Sequence, residues 1–290
     1  MNLVINWDVN PEIIEGWKTP NYYGLLFVTG IIIGYFAIKR IFKRENVSEA
    51  ILEKLVMYMV ISIIAGARLG HVIFYGQHFD KFDKDNVLIE RGYFSHPLDI
   101  LKVYEGGLAS HGAVMAIIIT LFWFSKKVSH KPMLWILDRI SISAAITACF
   151  IRLANLANSE IVGDVTTVPW GFRFFQNSED LENQFLNGVE IPVRHATQLY
   201  EAIVYLFVFF LLLFMYWKKG AQNRTGLLFG TILTLVFTAR FLIEYIKLGQ
   251  SEWDQTLTIN TGQMLSVPFV IAGVYFIIRA FKRDPIVESL

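Results

Sequence analysis

Gln198-Leu199-Tyr200-Glu201-Ala202-Ile203-Val204-Tyr205-Leu206-Phe207-Val208-Phe209-Phe210-Leu211-Leu212-Leu213-Phe214-Met215-Tyr216-Trp217 is a block of apolar residues interrupted by a single charge, Glu201. About 20 such residues cross the hydrocarbon of a bilayer as a helix, so this stretch decides the fold. Working outward, six more blocks have the same character: Tyr22 to Phe42, Ile51 to Tyr75, Leu108 to Phe124, Met133 to Asn158, Gly226 to Lys247 and Gly262 to Phe281. Lys, Arg, Gly or Pro flank each, and aromatics such as Trp135, Tyr200 and Trp217 fall near the ends as interfacial anchors. The fold class is therefore an all-α membrane protein of seven transmembrane helices, a single integral membrane domain over 1-290. The composition agrees: 54% of the 290 residues are hydrophobic and 18% charged, against about 25% charged in soluble domains. That excludes an ordinary soluble enzyme. The lone cysteine, Cys149, excludes a disulfide framework, and a net charge of +1 points away from nucleic acid.

Fourteen Lys and Arg lie in 39–54, 126–131, 218–224 and 279–283, and eight are spread over the longer opposite connections. The positive-inside rule then predicts an external N-terminus and a cytoplasmic C-terminus. Met1 to Lys18, with Asp8, Glu12 and Glu15, does not read as a signal peptide; it is expected to form a short external helix at the interface. Two external connections are long and polar. Residues 76-107 form an arm. Residues 159-197, with Pro169-Trp170-Gly171, Asn177-Ser178 and Asn187-Gly188, read as turns and short strands making a cap. No internal repeat is evident.

A charge at the centre of a span costs roughly 2.5–3.5 kcal/mol, so each intramembrane polar group needs a reason. Tyr23, Arg68, His71, His111, Arg152, Asn155, Glu201, Arg240 and Glu244 all map to the external end of the bundle; Asp138 and Arg139 belong to the inner half. The external half is thus expected to enclose a polar cavity. Arg240 and Glu244 are i,i+4, and Arg152 with Asn155 are i,i+3, so each pair shares a helix face. Two forked guanidinium groups from different helices suit a phosphate or carboxylate, and a phospholipid head group reaches that depth.

Each reading has a plainer rival. Arg240 and Glu244 can be a structural ion pair, Arg68 can snorkel to the interface, and His71 can be an interfacial histidine. Glu201 can anchor the cap, and Asp138 with Arg139 reads as a structural pair. His111, flanked by Gly106, Gly107 and Gly112, has close-approach residues around it that favour function. Ile146-Thr147-Ala148-Cys149 superficially matches a lipobox, but inside the fourth span Cys149 reads as a packing residue.

Arg152-Leu153-Ala154-Asn155-Leu156-Ala157-Asn158-Ser159-Glu160-Ile161-Val162-Gly163 resembles the GRxxNFxNxExxG signature of bacterial prolipoprotein diacylglyceryl transferases. So, in order, do Tyr22-Tyr23-Gly24-Leu25, Gly66-Ala67-Arg68-Leu69-Gly70, Glu105-Gly106-Gly107 with Ser110-His111-Gly112, Arg194-His195 with Gln198-Leu199-Tyr200-Glu201, Arg240-Phe241-Leu242-Ile243-Glu244 and Gly262-Gln263-Met264. The chain departs from the pattern at Ile151, Ala113, Ala154, Ala196 and Asp164, changes that leave the polar groups intact.

The resemblance implies transfer of a diacylglyceryl group from phosphatidylglycerol to the lipobox cysteine thiol of preprolipoproteins, the first step of lipoprotein maturation. A thioether forms and glycerol phosphate is released. Placed on the polar residues read above, that reaction assigns catalysis to His111, Arg152, Arg240 and Glu244, and phosphatidylglycerol binding to Tyr23, Arg68, Arg152, Asn155, Glu160, Gly163 and Arg240. In that scheme His111 takes the thiol proton, the arginines hold the phosphate, and Glu244 fixes Arg240. The setting is the bacterial cytoplasmic (inner) membrane, with a monomer whose site faces the external leaflet. No metal or other cofactor is expected, since C-x-x-C, H-E-x-x-H and P-loop patterns are missing. An anion or lipid transporter is the competing class, but it predicts polar groups through both leaflets. A retinal protein needs a Schiff-base lysine that the seventh span does not supply.

Overall fold

The computed structural model describes residues 4–17, 19–82, 88–103, 106–248 and 259–285; Glu105 of the arm motif lies outside them. Seven helices are long and apolar enough to span a membrane. They are α1 (Tyr22–Arg44), α2 (Glu49–Phe74), α3 (Ser110–Phe124, continued by a π turn to Ser129), α4 (Met133–Ala157), α6 (Thr197–Lys218), α7 (Leu227–Ile243, continued by a 3-10 turn to Ile246) and α8 (Thr261–Lys282). The protein is a multi-pass membrane protein, and the boundaries differ from the sequence reading by two residues or fewer, apart from the π turn that carries α3 beyond Phe124 and the end of α7, which is α-helical only to Ile243. The opening block shows why it works as a span. On α6, Tyr205, Val208, Phe209, Leu212 and Tyr216 recur at helical spacing and are buried, while Phe207, Phe210 and Phe214 point outward. Outward phenylalanines at this density suit lipid, not water.

Contacts divide the chain into two compact units, 42–136 and 1–41 with 137–290. In the first, α2 and α3 pack antiparallel through small residues. A Cβ on Gly70 would stand 2.7 Å from the Gly112 Cα, so only glycine lets these backbones meet. Farther along, Ser62 donates to Thr120 at 2.6 Å. The arm between them contains a short hairpin, β2 (Lys81–Phe82) with β3 (Leu88–Glu90), and a 3-10 turn at Pro97–Leu101.

In the second unit, α7 and α8 close on Gly230 and Gly273. Asp138 on α4 receives the Gly226 and Phe229 N–H groups at 2.6 and 2.9 Å, capping α7 from a neighbouring helix. Cys149 packs against Ala202 and Tyr205. The cap carries a three-stranded sheet in the order β1 (Ile5–Trp7), β4 (Phe172–Phe174), β5 (Val193–Arg194), with β1 parallel to β4 and β4 antiparallel to β5. This corrects the expectation of an interfacial N-terminal helix. Ile5-Asn6-Trp7 instead adds an edge strand, and the Trp7 indole donates to the Leu156 carbonyl at 2.9 Å. The second correction concerns 177–188. Asn177 and Gly188, read as turn residues, cap a helix, α5 (Ser178–Asn187): Asn177 accepts the Asp180 N–H, and Gly188 ends the helix at φ +63°.

Candidate functional site

The unit containing α4, α6, α7 and α8 gathers charge around Arg152. Its Nε stands 2.7 Å from Oε2 of Glu201, which is fully buried at the start of α6. Its Nη1 donates to Asn155 Oδ1 at 3.2 Å, and Asn155 Nδ2 donates to Glu160 at 2.8 Å. Tyr23 on α1 stands beside Asn155, Glu160 and Arg152, and Tyr205 stands beside Arg152 and Glu201. The turn that aims Glu160 is strained: Ser159 and Ile161 on either side have φ +53° and +59°. A β-branched residue rarely adopts that region. It is held there by Thr197 donating to the Ile161 carbonyl at 2.9 Å and Gln198 donating to that of Glu160 at 2.6 Å. Gly163 follows where the cap strand crosses the 246–248 segment; a Cβ there would stand 2.6 Å from the Ile246 carbonyl. Its place is one of backbone packing.

The expected Arg240–Glu244 pair does not form. The α-helix ends at Ile243, and Glu244 opens a 3-10 turn through Ile246. Three residues per turn bring Glu244 over Lys247, whose Nζ lies 3.6 Å from Glu244 Oε2. The Glu244 carboxylate packs against Gly262 at the start of α8, where a Cβ would stand 2.6 Å from it. Among the described residues, Arg240 is half-buried and has no hydrogen-bond or ion-pair partner; it lies within electrostatic range of Tyr205 and Lys247. Lys247 itself is a charge that the sequence reading left at a helix end. Its side chain is only 3% exposed, and Glu201, Glu244, Arg152 and Arg240 surround it. Its spacing of seven from Arg240, two helical turns, was the signal for it.

In the unit of residues 42–136, Arg68 does not snorkel. It is 4% exposed, and its guanidinium donates to the carbonyls of Ile100 (2.9 Å), Gly106 (2.6 Å), Gly107 (3.3 Å) and Asp99 (2.6 Å). With its face over Tyr93 at 5.1 Å, it staples the arm to α2. A guanidinium so saturated by carbonyls has no fork left for a phosphate. His71, Tyr75 and His111 line a pocket of about 390 Å³ with Leu108, Ala109 and Ser110. His111 is exposed and touches Phe74 and Tyr75, with ring centroids at 5.1 and 5.5 Å; among the described residues its nitrogens have no partner.

Residues 14–279 match the family model described as prolipoprotein diacylglyceryl transferase. The chain belongs to that family. It is 41% identical to the phosphatidylglycerol–prolipoprotein diacylglyceryl transferase of Porphyromonas gingivalis, over 99% of this chain and 98% of that one. Its identity to the enzyme of the same name from Tolumonas auensis is 39%, over 96% and 98%, and to that from Bacteroides fragilis 37%, over 98% of each. The protein is a transferase, and the transporter reading loses its support.

Within the transferase, Tyr23, Arg152, Asn155, Glu160, Arg240 and Glu244 come from α1, α4, α7 and the signature turn into one unit, together with Glu201 and Lys247, which the sequence reading did not place among the site residues. Arg68, His71 and His111 belong to the other unit. Among the described residues no group of three His, Cys, Asp or Glu side chains is placed to hold a metal ion.

Proposed function

We propose that this transferase moves the diacylglyceryl group of phosphatidylglycerol onto the lipobox cysteine of a preprolipoprotein at the external leaflet of the bacterial cytoplasmic membrane, working as a monomer. The thiolate sulfur attacks the glycerol carbon that bears the phosphate. A C–S bond forms as the C–O bond breaks, and the electron pair leaves on the oxygen of glycerol phosphate. A free thiol of pKa about 8.5 is only a few per cent ionised at neutral pH, so a base must take its proton; we assign His111 to this role because a neutral imidazole accepts a proton and its ring nitrogens have no partner among the described residues.

The observation that carries the reading is the Arg152–Glu201 contact. Glu201 engages only the Nε and Asn155 only Nη1, so the buried carboxylate orients the guanidinium while further N–H groups of its fork are left for phosphate oxygens. Arg240, with no partner among the described residues, supplies a second donor as charge grows on the leaving oxygen. Fixed donors of this kind are worth about 3–4 kcal/mol each in a site shielded from water. Tyr23, Asn155 and Glu160 complete the head-group contacts, and Lys247 adds a cation beside the leaving phosphate.

Labelled phosphatidylglycerol incubated with a peptide bearing a lipobox cysteine tests the reaction: label should appear on the peptide as an alkali-resistant thioether with equimolar glycerol phosphate. His111→Gln tests the base. Its rate should fall about 100-fold near neutral pH and recover as pH rises toward the thiol pKa. A rate equal to wild type across that range contradicts the assignment.

A further inference from the structure

Helix α5 is amphipathic in the reverse sense of a helix packed on a core. On its inner side Asp180 is buried and accepts two hydrogen bonds from Arg194, at 2.8 and 2.6 Å. That pairing raises the Arg194 pKa further above its ordinary value. On the other side Leu181, Phe185 and Leu186 point away from the protein, Phe185 being 88% and Leu186 65% exposed, and Val189 continues the patch past the helix end. Every residue from 181 to 190 is exposed. A ten-residue helix is marginal alone in water, yet this one is anchored by its cap and by a buried ion pair, presenting its apolar stripe outward.

Three occupants would cover such a stripe, and charge separates them. Helices that lie on anionic lipid carry Lys or Arg on the polar face; α5 exposes Glu179 and Glu182 and has no basic residue, and an anionic lipid surface repels it. A second copy of the chain would set Glu182, within the stripe, against its own equivalent. A polypeptide with apolar and basic side chains satisfies both the patch and its acidic border.

We infer that the outer face of α5 docks the exported portion of the polypeptide acceptor, holding the residues that follow the modified cysteine. This rests on the transfer reading above, because only a protein acceptor extends beyond the reacting cysteine into the cap's surroundings. The surface serves recognition of the long acceptor and takes no part in the bond exchange.

The test compares a full-length preprolipoprotein with a short peptide that ends soon after the lipobox cysteine, using wild type and Phe185→Ser/Leu186→Ser. Both residues are exposed, so the variant should fold. The KM for the long acceptor should rise on the order of ten-fold, the scale of losing an interface anchor, with kcat and all short-peptide kinetics unchanged. A photo-crosslinker at position 185 should capture the long acceptor; capture of lipid or of a second transferase overturns the inference. So does an unmoved KM for the long acceptor, or an equal loss on the short one. If wild type modifies neither acceptor, the transfer reading falls and the docking surface falls with it, whereas intact transfer to the short peptide with an unmoved long-acceptor KM removes the docking surface alone.

Discussion

Arg68 and Arg152 look alike in the sequence, each an arginine in the last two turns of a membrane helix, and the structure sets them to opposite work. Arg68 gives its donors to four backbone carbonyls of the arm. Arg152 gives its donors to side chains: a buried glutamate at 2.7 Å and an asparagine at 3.2 Å. Backbone carbonyls on a stapled loop cannot leave without unfolding the loop, so Arg68 is spent on structure. Glu201 takes only the Nε and Asn155 only one Nη1 donor, so the buried carboxylate stays in place and the guanidinium keeps N–H groups for a ligand. Charge does not separate the two residues; Arg68 is buried and Arg152 half-buried, and the chemistry of their partners differs.

The largest expected effect comes from Arg152→Lys. An ammonium keeps the charge but loses the fork, and lipid transfer should fall about 100-fold or more with the folded yield and melting temperature near wild type. Transfer within a few-fold of wild type would break the distinction. Arg68→Lys should do the reverse. Three ammonium donors on one nitrogen cannot reach carbonyls at both 99–100 and 106–107, leaving buried acceptors unmatched at about 1–3 kcal/mol each. The variant should therefore melt lower and show proteolysis in 76–107, while the KM for phosphatidylglycerol stays unchanged in the surviving folded fraction.

The smallest effect is a pH response confined to the arm. The Gly92 N–H bonded to Asp80 at 2.8 Å, together with nearby His96, holds the Asp80 carboxyl below its ordinary range. A depressed carboxyl stabilises the fold above its ordinary pKa, and the contribution is lost as pH falls through the lower folded value. Protection of the Gly92 amide from hydrogen exchange should drop in acid, and Asp80→Ala should remove that pH dependence; an identical acid loss in the variant would assign it elsewhere.

The seven spans were legible because length and apolarity alone specify a membrane helix, and the polar residues gathered around Arg152 because charges in a bilayer are costly enough to be few. What remained hidden was pairing. The i,i+4 rule joined Arg240 to Glu244, and the switch to a 3-10 turn at Glu244 broke that pair in favour of Lys247. No periodicity foretells where a helix tightens. Glu201 was visible as a buried charge but not as the partner of Arg152, since the two lie on different helices. Ile5-Asn6-Trp7 is too short to announce a strand before its neighbour β4 is known, and α5 was concealed because its apolar residues face out, so its cap residues read as turns.

Stabilisation by the donor lipid tests the central contrast most directly. Melting temperatures of wild type, Arg68→Lys and Arg152→Lys, each in neutral detergent with and without added phosphatidylglycerol, report whether a folded protein still binds it. Wild type and Arg68→Lys should gain equal lipid-dependent stability from different starting points, and Arg152→Lys should gain almost none. Loss of the lipid-dependent shift in Arg68→Lys, or its full retention in Arg152→Lys, would contradict the assignment of the phosphate to the arginine whose partner is a carboxylate.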